Sequence, residues 1–285
     1  LEDQSNYKFI FGDISNRDFV KDLFESNKFD AVIHLAAQAG VRLPIDENYK
    51  YTQSNLVGFE NIASNVSKNN IEVFLYASSS SVYGNLAKTP LVESEILLKP
   101  NSYYGVTKLS NEIAANAIFK NSDTKVRGLR FFSVYGSWGR PDMAYFRIAT
   151  AALHGNEFFL RGDGSVKRDF THVNDVVDIT MKLSEDLMTK PEGFHDVVNL
   201  GGGSPVSISD LVKICEKLTH RKIQIKEVEK SLADVKTTEA STAKLRSIIG
   251  EYEFTSIGDG MKEFIDWAEK KPTFGKLESW VNSVD

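Results

Sequence analysis

Tyr104 and Lys108 stand four residues apart behind Pro100-Asn101-Ser102, a run that reads as a helix start, so both side chains project from one helix face. A phenolate held beside an ammonium in this way can take a proton from an alcohol. A free tyrosine has a pKa of ~10, so only about one in a thousand is ionised at neutral pH. A lysine cation beside it favours the phenolate, and a drop of ~3 pKa units requires roughly 4 kcal/mol of differential interaction. Close charges in a desolvated site supply energies of that order, which makes Tyr104 a candidate general base. Ser79 sits at the end of the apolar strand-like run Leu75–Gly84, where a hydroxyl can reach a substrate oxygen. On its own a Tyr-x-x-x-Lys pair arises by chance on helix surfaces. Here it follows a strand that ends in the serines 78–81 and then a loop.

These residues need a sheet to hold them. Helix-period and strand-like segments alternate through most of the chain, the pattern of βα units around a parallel sheet. Strands are expected at Phe9-Ile10-Phe11 (ending at Gly12-Asp13), 31–35, 73–77, 126–132 and 197–200. Helices are expected at 16–25, 55–66 and 103–119. After about residue 140 the rhythm loosens into helices at 144–154, 175–187, 209–218, 242–249 and 260–269, with short strands near 158–160 and 169–170. Gly201-Gly202-Gly203 reads as a loop. No glycine-rich turn precedes the strand expected to end at Asp13. A first βαβ portion, of order 40–60 residues, is therefore expected to lie outside this chain.

Bulk properties narrow the field. The 285 residues carry 34 basic and 39 acidic side chains, a formal charge of −5, with no electrostatic footprint for nucleic acid or an anionic membrane. No run approaches the ~20 apolar residues of a membrane helix. A single cysteine, Cys215, excludes internal disulfides, fits a reducing compartment and reads as buried filler. Five scattered histidines point to no metal site, and His34, inside an apolar strand, reads as a core residue. The charge cluster Lys226–Lys230 reads as a solvated face.

In its motifs and their order the chain resembles the extended short-chain dehydrogenase/reductase family, specifically its nucleotide-sugar epimerases and dehydratases. The matching residues are Gly12-Asp13-Ile14, His34-Leu35-Ala36-Ala37, Asn55 with Gly58, Ser78–Gly84, Tyr104-Gly105-x-x-Lys108, Leu129-Arg130-Phe131-Phe132, and Arg168-Asp169-Phe170-Thr171-His172-Val173-x-Asp175. The resemblance implies a Rossmann-type doubly wound α/β sheet with a smaller C-terminal substrate lobe. Residues 1–135 would form the NAD-binding part, incomplete at its N-terminus. Residues 136–285 would mainly bind the nucleotide sugar, with about 168–200 returning to the sheet. It implies Tyr104 as base, Lys108 on the nicotinamide ribose, and Ser79 on the reacting hydroxyl. Asp13 and Ile14 would meet adenine, Leu35, Ala36, Ala37 and Gln38 the pyrophosphate and ribose, and Asn55 would orient the cofactor region. Ala77, Ser78 and Phe131 complete the implied NAD contacts. Arg168 would pair with the substrate diphosphate.

Within that family, acid or base residues precede the Val-Tyr-Gly of dehydratases and decarboxylases, whereas this chain has Ser80 and Ser81. A hydroxyl does not readily shuttle the proton of an elimination, which leaves simple epimerisation through a 4-keto intermediate. Two segments, Val134–Ala144 and Ala36–Arg42, resemble the group that acts on UDP-glucuronate. The resemblance implies that Arg140 grips the sugar carboxylate, with Ser133 assisting and Ser80 near the sugar. A 4-keto uronic acid is a β-keto acid, and a bidentate arginine would stop the carboxylate from rotating into loss of carbon dioxide. The chain departs from the family at Leu232-Ala233-Asp234, where Pro-Gly-Asp is usual, and at Ser133, where threonine is usual. Epimerisation of a neutral UDP-hexose or N-acetylhexosamine, a dehydratase or decarboxylase, and a non-catalytic nucleotide-binding protein stand as alternatives. The resemblance also implies a cytoplasmic homodimer, paired through the helices that contain 57–66 and 104–119.

Overall fold

The computed structural model describes residues 6–41, 43–85, 87–229 and 237–271. In order, α1 (Arg17–Ser26), β1 (Ala31–His34), α2 (Asn48–Tyr51), a π-helical stretch (Thr52–Val57), α3 (Gly58–Lys68), β2 (Val73–Ser79), a 3-10 turn (Ser80–Val82), α4 (Tyr103–Ile118) and β3 (Lys125–Phe131) come first. They are followed by β4 (Ser133–Tyr135), α5 (Ala144–His154), β5 (Glu157–Arg161), β6 (Lys167–His172), α6 (Val173–Met188), β7 (His195–Leu200), β8 (Pro205–Ser207), α7 (Ile208–Thr219), β9 (Gln224–Val228), α8 (Ala243–Ile249) and α9 (Ile257–Glu269). One sheet has the order β1-β2-β3-β7, a second β4-β6-β8, and a third pairs β5 with β9.

The chain divides into two compact units, one of residues 1–82, 100–129 and 187–197, the other of 83–99, 130–186 and 198–285. In the first, β1 runs parallel to β2 with His34 opposite Tyr76. All seven residues of β2 are buried, which is why Val-Phe-Leu-Tyr-Ala reads as a continuous apolar run rather than an alternation. Val20 and Phe24 of α1, Phe59, Ile62, Ala63 and Val66 of α3, and Ala115 of α4 form one core with Phe74 and Tyr76. Asn16 caps α1 by accepting the Phe19 N–H at 3.0 Å.

In the second unit, α5, α7 and α9 pack a separate core of Tyr145, Phe146, Ile148, Leu211, Cys215, Met261 and Phe264. β4 is parallel to β6, β6 antiparallel to β8, and β5 parallel to β9. Burial pushes the Cys215 thiol up to about 12, so it is inert filler. The largely exposed β9 takes in residues 226–228 of the charge cluster read as a solvated face.

Two expectations need correction. Residues 7–13 form no strand, and Phe9 and Phe11 are 68% and 89% exposed. Phenylalanine and isoleucine favour an extended chain, but a strand also needs a ladder partner, and among the described residues none pairs with this segment. The helix expected at 55–66 starts earlier, at Asn48, and passes through the π-helical stretch that carries Asn55. No helix among the described residues is long and apolar enough to cross a membrane. Among the same residues no group of three or more His, Cys, Asp or Glu side chains could hold a metal ion.

Candidate active site

Ser102 caps α4 by accepting the Gly105 N–H at 3.1 Å. A Cβ on Gly105 would lie 2.8 Å from the Ser81 carbonyl oxygen, so only glycine lets the first turn of α4 sit directly on the turn that ends β2. That contact brings the helix start to the serine run. Tyr104 is half-buried, with its ring 6.0 Å from that of Tyr51. One helical turn on, the Lys108 Nζ lies 5.8 Å from the centre of the Tyr104 ring.

Lys108 is 2% exposed and donates to the Ala77 carbonyl at 2.8 Å, its one hydrogen bond among the described residues. Burial pulls the ammonium down to about 8. Roughly nine in ten copies thus stay protonated at neutral pH, enough to support a phenolate nearby. His34, at the end of β1, is held down at about 4 by burial first and by the Lys108 charge second, so it is a neutral core imidazole. Ser79 is buried, and its Oγ accepts the Ser81 N–H at 3.1 Å, which leaves its own O–H to donate. Ser80 is half-buried at the head of the 3-10 turn.

Asn55 ties this helix to the loop after β1. Its Oδ1 accepts the Gln38 N–H at 2.8 Å, and its Nδ2 donates to the Gln38 carbonyl at 3.1 Å and to Thr107 Oγ1 at 3.0 Å. The loop it steadies carries Leu35 and Ala36 exposed, with Ala37 and Gln38 half-buried. Asp13 is exposed, and its carboxylate accepts the Ser15 N–H at 2.8 Å. Ile14 packs on Gly58 of α3, and its carbonyl accepts from Asn61 at 2.9 Å. Ala77 and Ser78 are turned to protein partners, Ala77 to Lys108 and Ser78 to Glu112 at 2.5 Å.

These residues fit NAD. A buried ammonium has three donors, and one protein acceptor leaves two for a ligand such as a ribose diol. Beside it lies a loop at the C-terminal end of a parallel strand, the end at which open α/β sheets bind ligands.

Two members of this network escaped sequence reasoning. Glu112 lies four residues after Lys108, and Thr107 three after Tyr104, so the helix period was the available signal. A glutamate on a helix otherwise reads as a solvated charge.

The remaining expected residues belong to the second unit. Phe131 is half-buried at the end of β3, while Phe132 is buried against Gly201. Ser133 opens β4 opposite Phe170. Arg140 lies in the loop before α5, and Arg168 on β6 donates to the Lys167 carbonyl at 2.9 Å. Asp169 is fully buried and accepts N–H groups from Gly202, Gly203 and Ala240 at 3.0, 2.9 and 2.8 Å. It therefore fixes the glycine loop. Arg42 and Leu232-Ala233-Asp234 lie outside the described residues.

A helix that delivers a tyrosine and a buried lysine to a serine-ended strand of an α/β sheet is the arrangement of a dinucleotide-dependent, alcohol-oxidising site. The chain belongs to the NAD dependent epimerase/dehydratase family, whose profile matches residues 1–201. An uncharacterised protein of Methanocaldococcus jannaschii is 37% identical over 267 residues, which cover 94% of this chain and 80% of that protein. The UDP-glucuronate 4-epimerase of Thermodesulfobacterium geofontis is 32% identical over 271 residues, 95% of this chain and 82% of that protein. The solved UDP-glucuronic acid 4-epimerase of Bacillus cereus, in complex with UDP-glucuronic acid and NAD, is similar with a TM-score of 0.84 at 32% identity, covering 93% of this chain and 82% of that one. The Rossmann-type α/β class expected from the sequence agrees with these neighbours.

Proposed function

We propose that this protein is an NAD-dependent epimerase that inverts carbon 4 of a UDP-sugar, interconverting UDP-glucuronate and UDP-galacturonate. The observation that carries the reading is the buried Lys108 ammonium, which keeps donors for a ligand one turn from Tyr104. Similarity to the B. cereus and T. geofontis 4-epimerases supports the choice of sugar.

Bound NAD supplies reversible hydride acceptance from carbon 4. The protein supplies the rest. Tyr104 takes the proton of the 4-hydroxyl, and Lys108 stabilises the phenolate that does so. Ser79 donates its free O–H to the substrate oxygen. Asn55 holds the Leu35–Gln38 loop and, through Thr107, the first turn of α4, so that cofactor and base keep one register. Arg140 binds the sugar carboxylate, assisted by Ser133, Ser80 lies near the sugar, and Arg168 pairs with the diphosphate.

The test is incubation with UDP-glucuronate and NAD, followed by separation of glucuronate from galacturonate products. Arg140→Ala is expected to raise KM for UDP-glucuronate by about 10–100-fold, the scale of a charge-assisted fork. Full turnover of UDP-glucuronate by that variant would remove Arg140 as the carboxylate grip, whereas a wild type that turns over UDP-glucose in preference to UDP-glucuronate would favour the second reading, a 4-epimerase of neutral UDP-hexoses. The protein acts as a homodimer in this reading, because Val106 and Ile113, seven residues apart on α4, are exposed apolar side chains. Light scattering in solution decides that point. A nucleotide-sugar substrate and a lone buried thiol suit the cytoplasm.

A further inference from the structure

Arg140 is already held. Asp142 accepts its Nε–H at Oδ1 (2.9 Å) and its Nη2–H at Oδ2 (2.5 Å), a two-point fork along one edge of the guanidinium. A guanidinium carries five N–H groups in one plane, and this fork uses two of them. Its end-on edge, formed by Nη1 and the second hydrogen of Nη2, meets among the described residues only the Met143 sulfur, 3.9 Å from Nη2, a weak acceptor. One occupied edge and one edge open to a second carboxylate coexist on a single side chain.

The loop that carries the pair is built rather than loose. The Gly139 N–H donates to the Gly136 carbonyl at 3.3 Å, the Tyr145 hydroxyl to the same carbonyl at 3.1 Å, and the Met143 N–H to the Arg140 carbonyl at 3.3 Å. A Cβ on Gly139 would lie 1.6 Å from the Tyr145 oxygen, so this packing needs glycine. Helix α5 starts two residues after Asp142, and its cap, Met143, makes no side-chain capping bond. An aspartate at that point is the residue type that serves a helix N-terminus, yet its carboxylate is committed to Arg140.

We propose that Asp142 is a positioning residue: it locks the Arg140 guanidinium by one edge so that the other edge holds the sugar carboxylate in a fixed orientation and suppresses decarboxylation of the 4-keto intermediate. The inference rests on the proposed reading of Arg140 as the carboxylate grip. An arginine free on its flexible stem would still attract a carboxylate but would let it turn. In a 4-keto uronic acid, decarboxylation needs the bond from carbon 5 to the carboxyl carbon aligned with the ketone. That bond then breaks and its electron pair enters the ketone as an enolate. Carbon dioxide leaves, and carbon 5 takes a proton from water. The product is a UDP-linked 4-ketopentose, one carbon short.

The test compares the wild type, Asp142→Asn, Asp142→Glu and Arg140→Ala as NAD-loaded full-length chains, with thermal melting as the check on folding. Calorimetry with UDP-glucuronate gives affinity, and substrate labelled in the carboxyl carbon gives the fraction of turnover that ends as carbon dioxide. Asp142→Asn is expected to bind within about 3-fold of the wild type while its decarboxylated fraction rises about 10-fold or more, the scale on which misorientation costs an enzyme. Asp142→Glu, which keeps a carboxylate, restores most of the wild-type partition. An unchanged partition in a folded Asp142→Asn overturns the inference. So does a 10-fold gain in affinity, which would make Asp142 a competitor for Arg140. Should Arg140→Ala lose affinity while Asp142→Asn behaves as wild type, the grip stands and this inference falls. Should Arg140→Ala bind and turn over UDP-glucuronate normally, it is the reading of Arg140 that fails.

Discussion

Both units bury charged side chains, and two of these, one in each unit, are treated in opposite ways. Asp169, in the second unit, is closed: backbone N–H groups of Gly202, Gly203 and Ala240 fill its carboxylate. Burial pushes its pKa up, and those bonds pull it back. Lys108, in the first unit, has one carbonyl for its ammonium among the described residues. A satisfied buried charge organises a loop, whereas an under-satisfied one costs stability and is retained where a ligand completes it. This contrast separates architecture from chemistry more sharply than burial does, since both groups are almost wholly buried.

The largest effect that sharpens this comparison is expected at Tyr104. Tyr104→Phe removes the only proton acceptor the account assigns, and kcat should fall about 10³-fold, with UDP-glucuronate affinity by calorimetry changed only a few-fold. Next comes the closed site. Asp169→Ala leaves several buried N–H groups without an acceptor and should cost about 3 kcal/mol or more in urea unfolding. A loss below roughly 1 kcal/mol would show that the nest is not structural.

Lys108→Met should break the symmetry between the two sites. Activity at neutral pH is expected to fall about 100-fold, while stability holds or rises because a buried charge with one partner has been replaced by an apolar chain. The sign of the pH effect is also fixed. Without the cation the phenol titrates higher, so the acidic limb of the rate profile moves to higher pH.

The smallest effect concerns His34. Its folded pKa of about 4 lies below the unfolded value of 6.5, so the unfolded chain binds the proton first as pH falls. Stability from this residue is complete above about pH 6.5 and is lost between there and pH 4, by at most about 3 kcal/mol. His34→Gln should flatten that part of the stability profile, and an unchanged profile would place the acid sensitivity elsewhere.

Much of the site was legible because helix period and strand ends are local properties. Tyr104 and Lys108 share a face by spacing alone, and Ser102 marks the start of that helix by residue type. Glu112 follows the same spacing but carries no sign in its residue type that its partner is the buried Ser78. The strand expected at residues 9–11 failed for the converse reason: aromatic and β-branched residues favour an extended chain but do not specify the neighbour that would pair with it. β4 and β8 span three residues each, too few for a period of two to register. Asp142 was visible only as part of a motif, and its hold on Arg140 is a matter of side-chain geometry.

The central claim is that the hydrogen on carbon 4 leaves and returns without meeting solvent. UDP-glucuronate carrying deuterium at carbon 4 tests it directly. A primary isotope effect on turnover is expected, together with UDP-galacturonate that keeps its deuterium at carbon 4. Deuterium washed out into water as product forms would contradict it.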